Sequence, residues 1–144
     1  MQVTFTREQY ENIVKLAYLG EWMANSIRSE DTINEFDEIL TYLLSFAKDA
    51  GHDAYVQYDE DMKQYIPSEK LEDELHDYVE DYNTETFWEE LVHRLAERDM
   101  IKQFGAEAVQ GMDFEERMDK EHPFLDTYYD EFEKKGIDTL EIKK

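Results

Sequence analysis

The chain has no cysteine and only two prolines in 144 residues. The first absence excludes a disulfide framework and any thiolate metal site. The scarcity of proline, with no low-complexity linker and no internal repeat, leaves no marked domain boundary. No run approaches the roughly 18 consecutive apolar residues of a membrane-spanning helix. Positive charge is also short: 15 lysines and arginines stand against 37 acids, for a net charge of −22. This disfavours direct binding to nucleic acid, whose affinity comes from neutralising phosphates. It disfavours anionic membrane surfaces for the same reason. The first residues, MQVTFTREQYEN, lack the apolar stretch of a secretory signal, so a cytoplasmic protein is expected.

What is present can build a core. The composition is 41% hydrophobic and 14% aromatic. A chain of this size is expected to bury roughly 70% of its unfolded surface, so residues 1–144 are expected to form a single acidic domain.

Residues 2 to 5, QVTF, alternate like a short strand. Thr6 with Gln9 forms a capping box that opens a helix to about Arg28. Thr32 with Glu35 repeats the pattern before a helix whose face holds Phe36, Ile39, Leu40, Leu43, Ala47 and Ala50, with Gly51 as its stop. Residues 52 to 66 have no clear period; AYVQY fits a strand or an irregular packed segment. Pro67 and Ser68 start a helix with Leu71, Leu75, Tyr78, Val79 and Tyr82 on one side. Asn83 and Thr84 are expected to turn the chain into an antiparallel partner bearing Phe87, Trp88, Leu91, Val92 and Leu95. Asp113 and Glu116 mark another start, Pro123 is expected to break or kink the chain there, and the last helix ends at Gly136. The tail DTLEIKK alternates Leu140 and Ile142, so TLEI is expected to pair with QVTF. The expected fold is mainly α: a single-domain bundle of about five or six helices with a small two-stranded sheet joining the N- and C-terminal segments.

The charge is uneven. Residues 53 to 90 hold fourteen acids and two bases, more than half of the net −22 in about a quarter of the chain. At 100° per residue, Glu69, Asp73, Asp77 and Glu80 fall opposite Leu71, Leu75, Tyr78 and Val79. The plain reading is a solvated face. The sharper reading is mimicry of a nucleic-acid backbone. Carboxylates every four residues recur about every 6 Å, sparser than the phosphates of one strand at about 3.4 Å. Glu89, Glu90 and Glu97 would have to supplement them.

Each of the four histidines follows an acid by three residues: Asp49–His52, Asp73–His76, Glu90–His93 and Asp119–His122. Such pairs serve di-metal carboxylate bundles when they point inward. Here Glu90 and His93 fall opposite Leu91, Val92 and Leu95, and Asp73 opposite Leu75, so no metal site is assigned. DEDMKQYIPSEK begins like a calcium loop but carries Gln64 where glycine is needed and Lys70 where glutamate is needed. No phosphate-binding glycine motif occurs, and the serines have no strand–turn–helix setting. The acid pattern of helical nucleotide pyrophosphatases, E-E-x-x-E, breaks at His93. No cofactor and no catalytic residue are assigned.

The first helix has one face of Ile13, Leu16, Ala17, Gly20, Ala24 and Ile27, widened by Val14 and Tyr18. Glu21 and Asn25 fall inside this apolar arc, where a carboxylate is either functional or satisfied by a partner. Leu19 and Trp22 point elsewhere. Either another segment covers them, or they are a partner surface for self-association or another protein. The expected function is a non-enzymatic interaction module. The alternatives are an acidic inhibitor or nucleic-acid mimic that captures a basic protein, and a helical enzyme dependent on a divalent ion.

Overall fold

The computed structural model describes residues 2–141, and the chain is mainly helical with one small sheet. None of its helices among the described residues is long and apolar enough to cross a membrane. By internal packing the chain divides into two compact units, Met1–Asp81 and Tyr82–Lys144.

In the first unit, helix α1 spans Arg7–Asn25. Its capping box forms as the sequence suggests: the Gln9 amide donates to Thr6 Oγ1 at 3.2 Å and the Thr6 amide to Gln9 Oε1 at 2.9 Å. The inward arc is rotated from the expected one. Tyr10, Val14 and Asn25 are buried, whereas Leu16 is 67% and Ile27 87% exposed. Turning Tyr10 and Val14 inward, with Tyr18 packed beside them, buries larger side chains than the Gly20 and Ala24 side offers.

Helix α2 spans Asn34–Leu44. Thr32 does not cap it; Ile33 holds the cap position and makes no side-chain bond there. The buried Asn25 amide instead ties down the backbone of the cap residue. Its Oδ1 accepts from the Ile33 amide at 2.9 Å, and its Nδ2 donates to the Ile33 carbonyl at 3.2 Å. Leu40, Leu44 and Ala47 enter the core. Phe36 and Ile39, expected inside, stay 47% and 57% exposed. The left-handed backbone of Gly51, φ 76°, turns the chain, and the Arg7 guanidinium donates to its carbonyl.

The hard-to-read segment is a 3-10 turn, Asp53–Tyr55, followed by strand β1, Val56–Asp59, and strand β2, Gln64–Pro67. They pair antiparallel with Val56 opposite Pro67 and Asp59 opposite Gln64. Asp59 Oδ1 accepts from the amides of Asp61 and Met62, both at 2.9 Å, and shapes the turn. This hairpin is the sheet, so the expected pairing of the chain ends is corrected. Residues 2–5 carry no strand, and Gly136–Thr139 is a 3-10 turn. Ile142 lies outside the described residues. A short hairpin loop closes at far less entropic cost than a pairing of the two termini.

Ser68 opens helix α3, Glu69–Phe104, accepting from the Leu71 amide at 3.3 Å. The expected turn at Asn83 and Thr84 is absent; α3 is continuous through 36 residues. Asn and Thr cost a helix only about 0.7 kcal/mol each or less, and no glycine or proline stands near them. Leu71 and Leu75 complete the core of the first unit with Val14, Leu44, Tyr55 and Val56.

In the second unit, α3 from Tyr82 onward is joined by α4, Ala106–Gly111, and α5, Phe114–Lys135. Gly105 separates α3 from α4 with φ 88°. Asp113 caps α5 by accepting from the Glu116 amide at 2.9 Å. Pro123 lies inside α5 without ending it. Contacts on both sides hold the helix through it: Arg117 pairs with Glu97 at 2.9 Å, and Phe132 packs against Trp88 with ring centres 5.4 Å apart. Val92, Ala96, Met100, Val109 and Phe132 are buried.

Candidate functional sites and polar networks

The first unit has a polar network at the junction of α1, the 3-10 turn and α3. The Tyr55 hydroxyl lies 3.0 Å from Glu11 Oε1 and 2.7 Å from Glu74 Oε2. Lys15 Nζ sits 2.8 Å from Glu11 and 3.2 Å from Glu74. The Lys15 hydrogen bond holds the Glu11 carboxyl below its ordinary range, and the Tyr55 hydroxyl does the same for Glu74. Glu11 in turn raises Lys15. Burial, then Glu74, pushes the Tyr55 phenol up to about 12. His52 stacks on Tyr55 at 5.5 Å, with its Nδ1 3.9 Å from Glu11 and its buried Nε2 without a hydrogen-bond partner among the described residues. Beside it, burial pushes the Tyr10 phenol to about 12, and its hydroxyl donates to the Leu43 carbonyl at 2.6 Å.

A second network lies in the second unit. Arg98 donates two bonds to Asp99, at 2.8 and 2.9 Å, Lys102 donates a third at 2.8 Å, and the Tyr128 hydroxyl also donates to Asp99. Arg98, followed by Lys102 and Tyr128, holds the Asp99 carboxyl well below the usual carboxylate range. Burial and the Asp99 bond raise the Tyr128 phenol. In both networks every shift moves a group away from neutral pH. Their hydrogen bonds join side chains of different elements, so both networks cross-link the fold.

Of the residues singled out from the sequence, Leu19 packs, half-buried, on the core of the first unit. Trp22 is half-buried and lines a cleft of about 370 Å³ with Tyr18, Asp73, Leu75 and His76, which brings it together with one acid of the α3 stripe. Glu21 accepts from Asn25 Nδ2 at 3.0 Å, which gives that carboxylate a plain structural partner. Glu69, Asp73, Asp77 and Glu80 are exposed and join no ion pair among the described residues. Glu89 and Glu90 are also exposed, and Glu90 pairs with Arg94 at 2.9 Å. Among the described residues no three His, Asp or Glu side chains converge as a metal set.

Sequence reasoning missed an apolar groove between α1 and α2. It measures about 290 Å³ and is lined by Ala17, Gly20, Glu21, Phe36 and Ile39. Its signal was in the sequence: α1 carries apolar residues on more of its circumference than one core contact can cover. No family model, curated protein or solved structure matches the chain.

Proposed function

We propose that the chain is a non-enzymatic protein-interaction module whose α1–α2 groove holds an amphipathic helix with basic flanks. The observation that carries this reading is the exposure of Phe36 and Ile39 beside Gly20, with Leu16, Met23 and Ile27 also exposed on α1 and the turn after it. A helix-in-groove mode needs such an apolar floor with little side-chain obstruction. Charge selects the occupant. α2 carries Glu35, Asp37 and Glu38 and no base, and Glu21 lines the groove. A second copy would bring another net −22 against it.

The test uses a synthetic helical peptide with leucines on one face and lysines on the other, beside a scrambled peptide of the same composition. A Cβ at Gly20 meets nothing within 4 Å, so Gly20→Gln fits the free fold and fills the groove. The amphipathic peptide is expected to shift the amide signals of Ala17, Gly20, Phe36 and Ile39. Gly20→Gln is expected to weaken it about tenfold while leaving stability equal or higher, since glycine costs a helix about 0.5–1 kcal/mol relative to alanine. Equal binding of the variant, or of the scrambled peptide, overturns the groove as the docking site.

The exposed stripe of Glu69, Asp73, Asp77 and Glu80, unpaired among the described residues, supports a second reading, the capture of a basic protein by charge. Neutralising these four residues would then weaken both peptides alike, and moderate salt would abolish the difference.

A further inference from the structure

Within the second unit, α3 and α5 enclose a cleft of about 500 Å³. Its walls are Trp88, Val92, Tyr129 and Phe132, and its other lining residues are Glu85, Glu89 and Glu133. The helical period explains the arrangement. Glu85, Trp88, Glu89 and Val92 follow the i, i+3, i+4, i+7 rule on α3, and Tyr129, Phe132 and Glu133 share one face of α5. Trp88 and Phe132 pack against each other, tilted by 42° with their centres 5.4 Å apart, and Phe132 also stacks on Tyr128 at 5.9 Å. Tyr129 is exposed and Phe132 is buried.

Among the described residues no lysine, arginine or histidine lines this cleft. The neighbouring acids have cations of their own: Glu90 pairs with Arg94 at 2.9 Å, Asp130 with Lys134 at 3.1 Å and Glu131 with Lys135 at 2.8 Å. Glu85, Glu89 and Glu133 join no ion pair among the described residues. The helix spacing gives the reason. One turn along from Glu85 stands Glu89, one turn along from Glu89 stands His93, and one turn back from Glu133 stands Tyr129. Three aromatic rings and three carboxylates without cations therefore meet in one concave surface.

We propose that this cleft binds an alkylated ammonium cation, independently of the α1–α2 groove. Aromatic faces attract cations through their quadrupole, and they favour alkylated ammonium groups, which shed water more readily than a bare metal ion. The carboxylates add attraction that salt weakens. The ammonium group belongs either to a free small amine or to a methylated lysine of a protein.

The test is a titration of the full chain with tetramethylammonium chloride, against sodium chloride at matched ionic strength, followed by the Trp88 indole and Phe132 amide signals in NMR. A saturating shift with tetramethylammonium alone is expected. Trp88 supports packing, so the deciding variant replaces only exposed groups: Glu85→Gln, Glu89→Gln and Glu133→Gln together. This variant is expected to weaken binding about tenfold with the fold intact. A peptide bearing trimethyllysine that binds more tightly than choline assigns the site to a protein partner; the reverse assigns it to a free amine. A shift that never saturates, or that matches sodium, overturns the proposal. So does unchanged binding in the triple variant.

Discussion

The residues that fix the first unit are polar as well as apolar. Tyr55 is the clearest. Its single hydroxyl stands between two carboxylates, and Lys15 supplies the remaining donors. The Glu11–Lys15 pair was legible, because acids and bases four apart meet on a helix. The rest was not: Tyr55 comes from a segment without periodicity, and Glu74 looked like one more of the fourteen acids in residues 53 to 90. Asn25 was visible as a polar residue in an apolar arc, but its partner Ile33 is eight residues away and follows from no pattern. Tyr55→Phe is expected to cost about 0.5–1.5 kcal/mol in urea denaturation, because it removes the hydroxyl that bridges two partly exposed carboxylates. The pH dependence follows from the same groups. The folded phenols of Tyr10 and Tyr55 titrate near 12, above their unfolded value of about 10. Their contribution is therefore fully present below pH about 10 and is lost as pH rises towards 12. Glu11 and Glu74, lowered in the fold, act at the other end: their contribution is present above the usual carboxylate range and fades as pH falls through it. Ultraviolet titration should show a late-ionising tyrosine fraction, smaller in Tyr10→Phe and Tyr55→Phe. Ionisation of all ten tyrosines together near pH 10 in the folded protein would contradict this.

Elements were legible where a cap or a long period marks them. Thr6–Gln9, Ser68, Asp113 and Gly136 bound helices as the sequence implies. Two misreadings came from giving local breaker signals too much weight. Pro123 loses one backbone bond, yet α5 is anchored by Arg117 on one side and Phe132 on the other. Asn83 and Thr84 only weaken a helix. The hairpin escaped notice because its strands are four residues each and its turn uses aspartate rather than Asn-Gly. The apolar groove likewise follows from which arc of α1 the core takes, and several arcs were apolar enough to serve. Continuity at Thr84 has a direct test. A proline there would sit easily in a turn but would remove a bond and crowd the Glu80 carbonyl in a helix. Thr84→Pro is expected to cost about 3 kcal/mol or more, with a loss of helical circular dichroism. A variant as stable and as helical as the parent would restore the hairpin reading.

At the scale of the whole molecule, charge dominates. The first unit carries 20 acids and six bases, the second 17 and nine. The ion pairs among the described residues are mostly four-residue helical pairs at the surface, worth about 0.3–0.5 kcal/mol each, and they leave most acids uncompensated. Self-repulsion therefore opposes the compact state, and an unfolded chain relieves it by spacing its charges. Sodium chloride shortens the reach of that repulsion to about 8–10 Å at 0.1–0.15 M. The melting temperature should rise from low to moderate salt, by about 2–8 °C for each kcal/mol of repulsion screened. Magnesium at matched ionic strength should add little, because dispersed surface carboxylates offer it only the diffuse attraction that sodium also feels. A large additional rise with magnesium or calcium alone would mean that some of these carboxylates converge on an ion. The stripe on α3 would then be a ligand set rather than a solvated face.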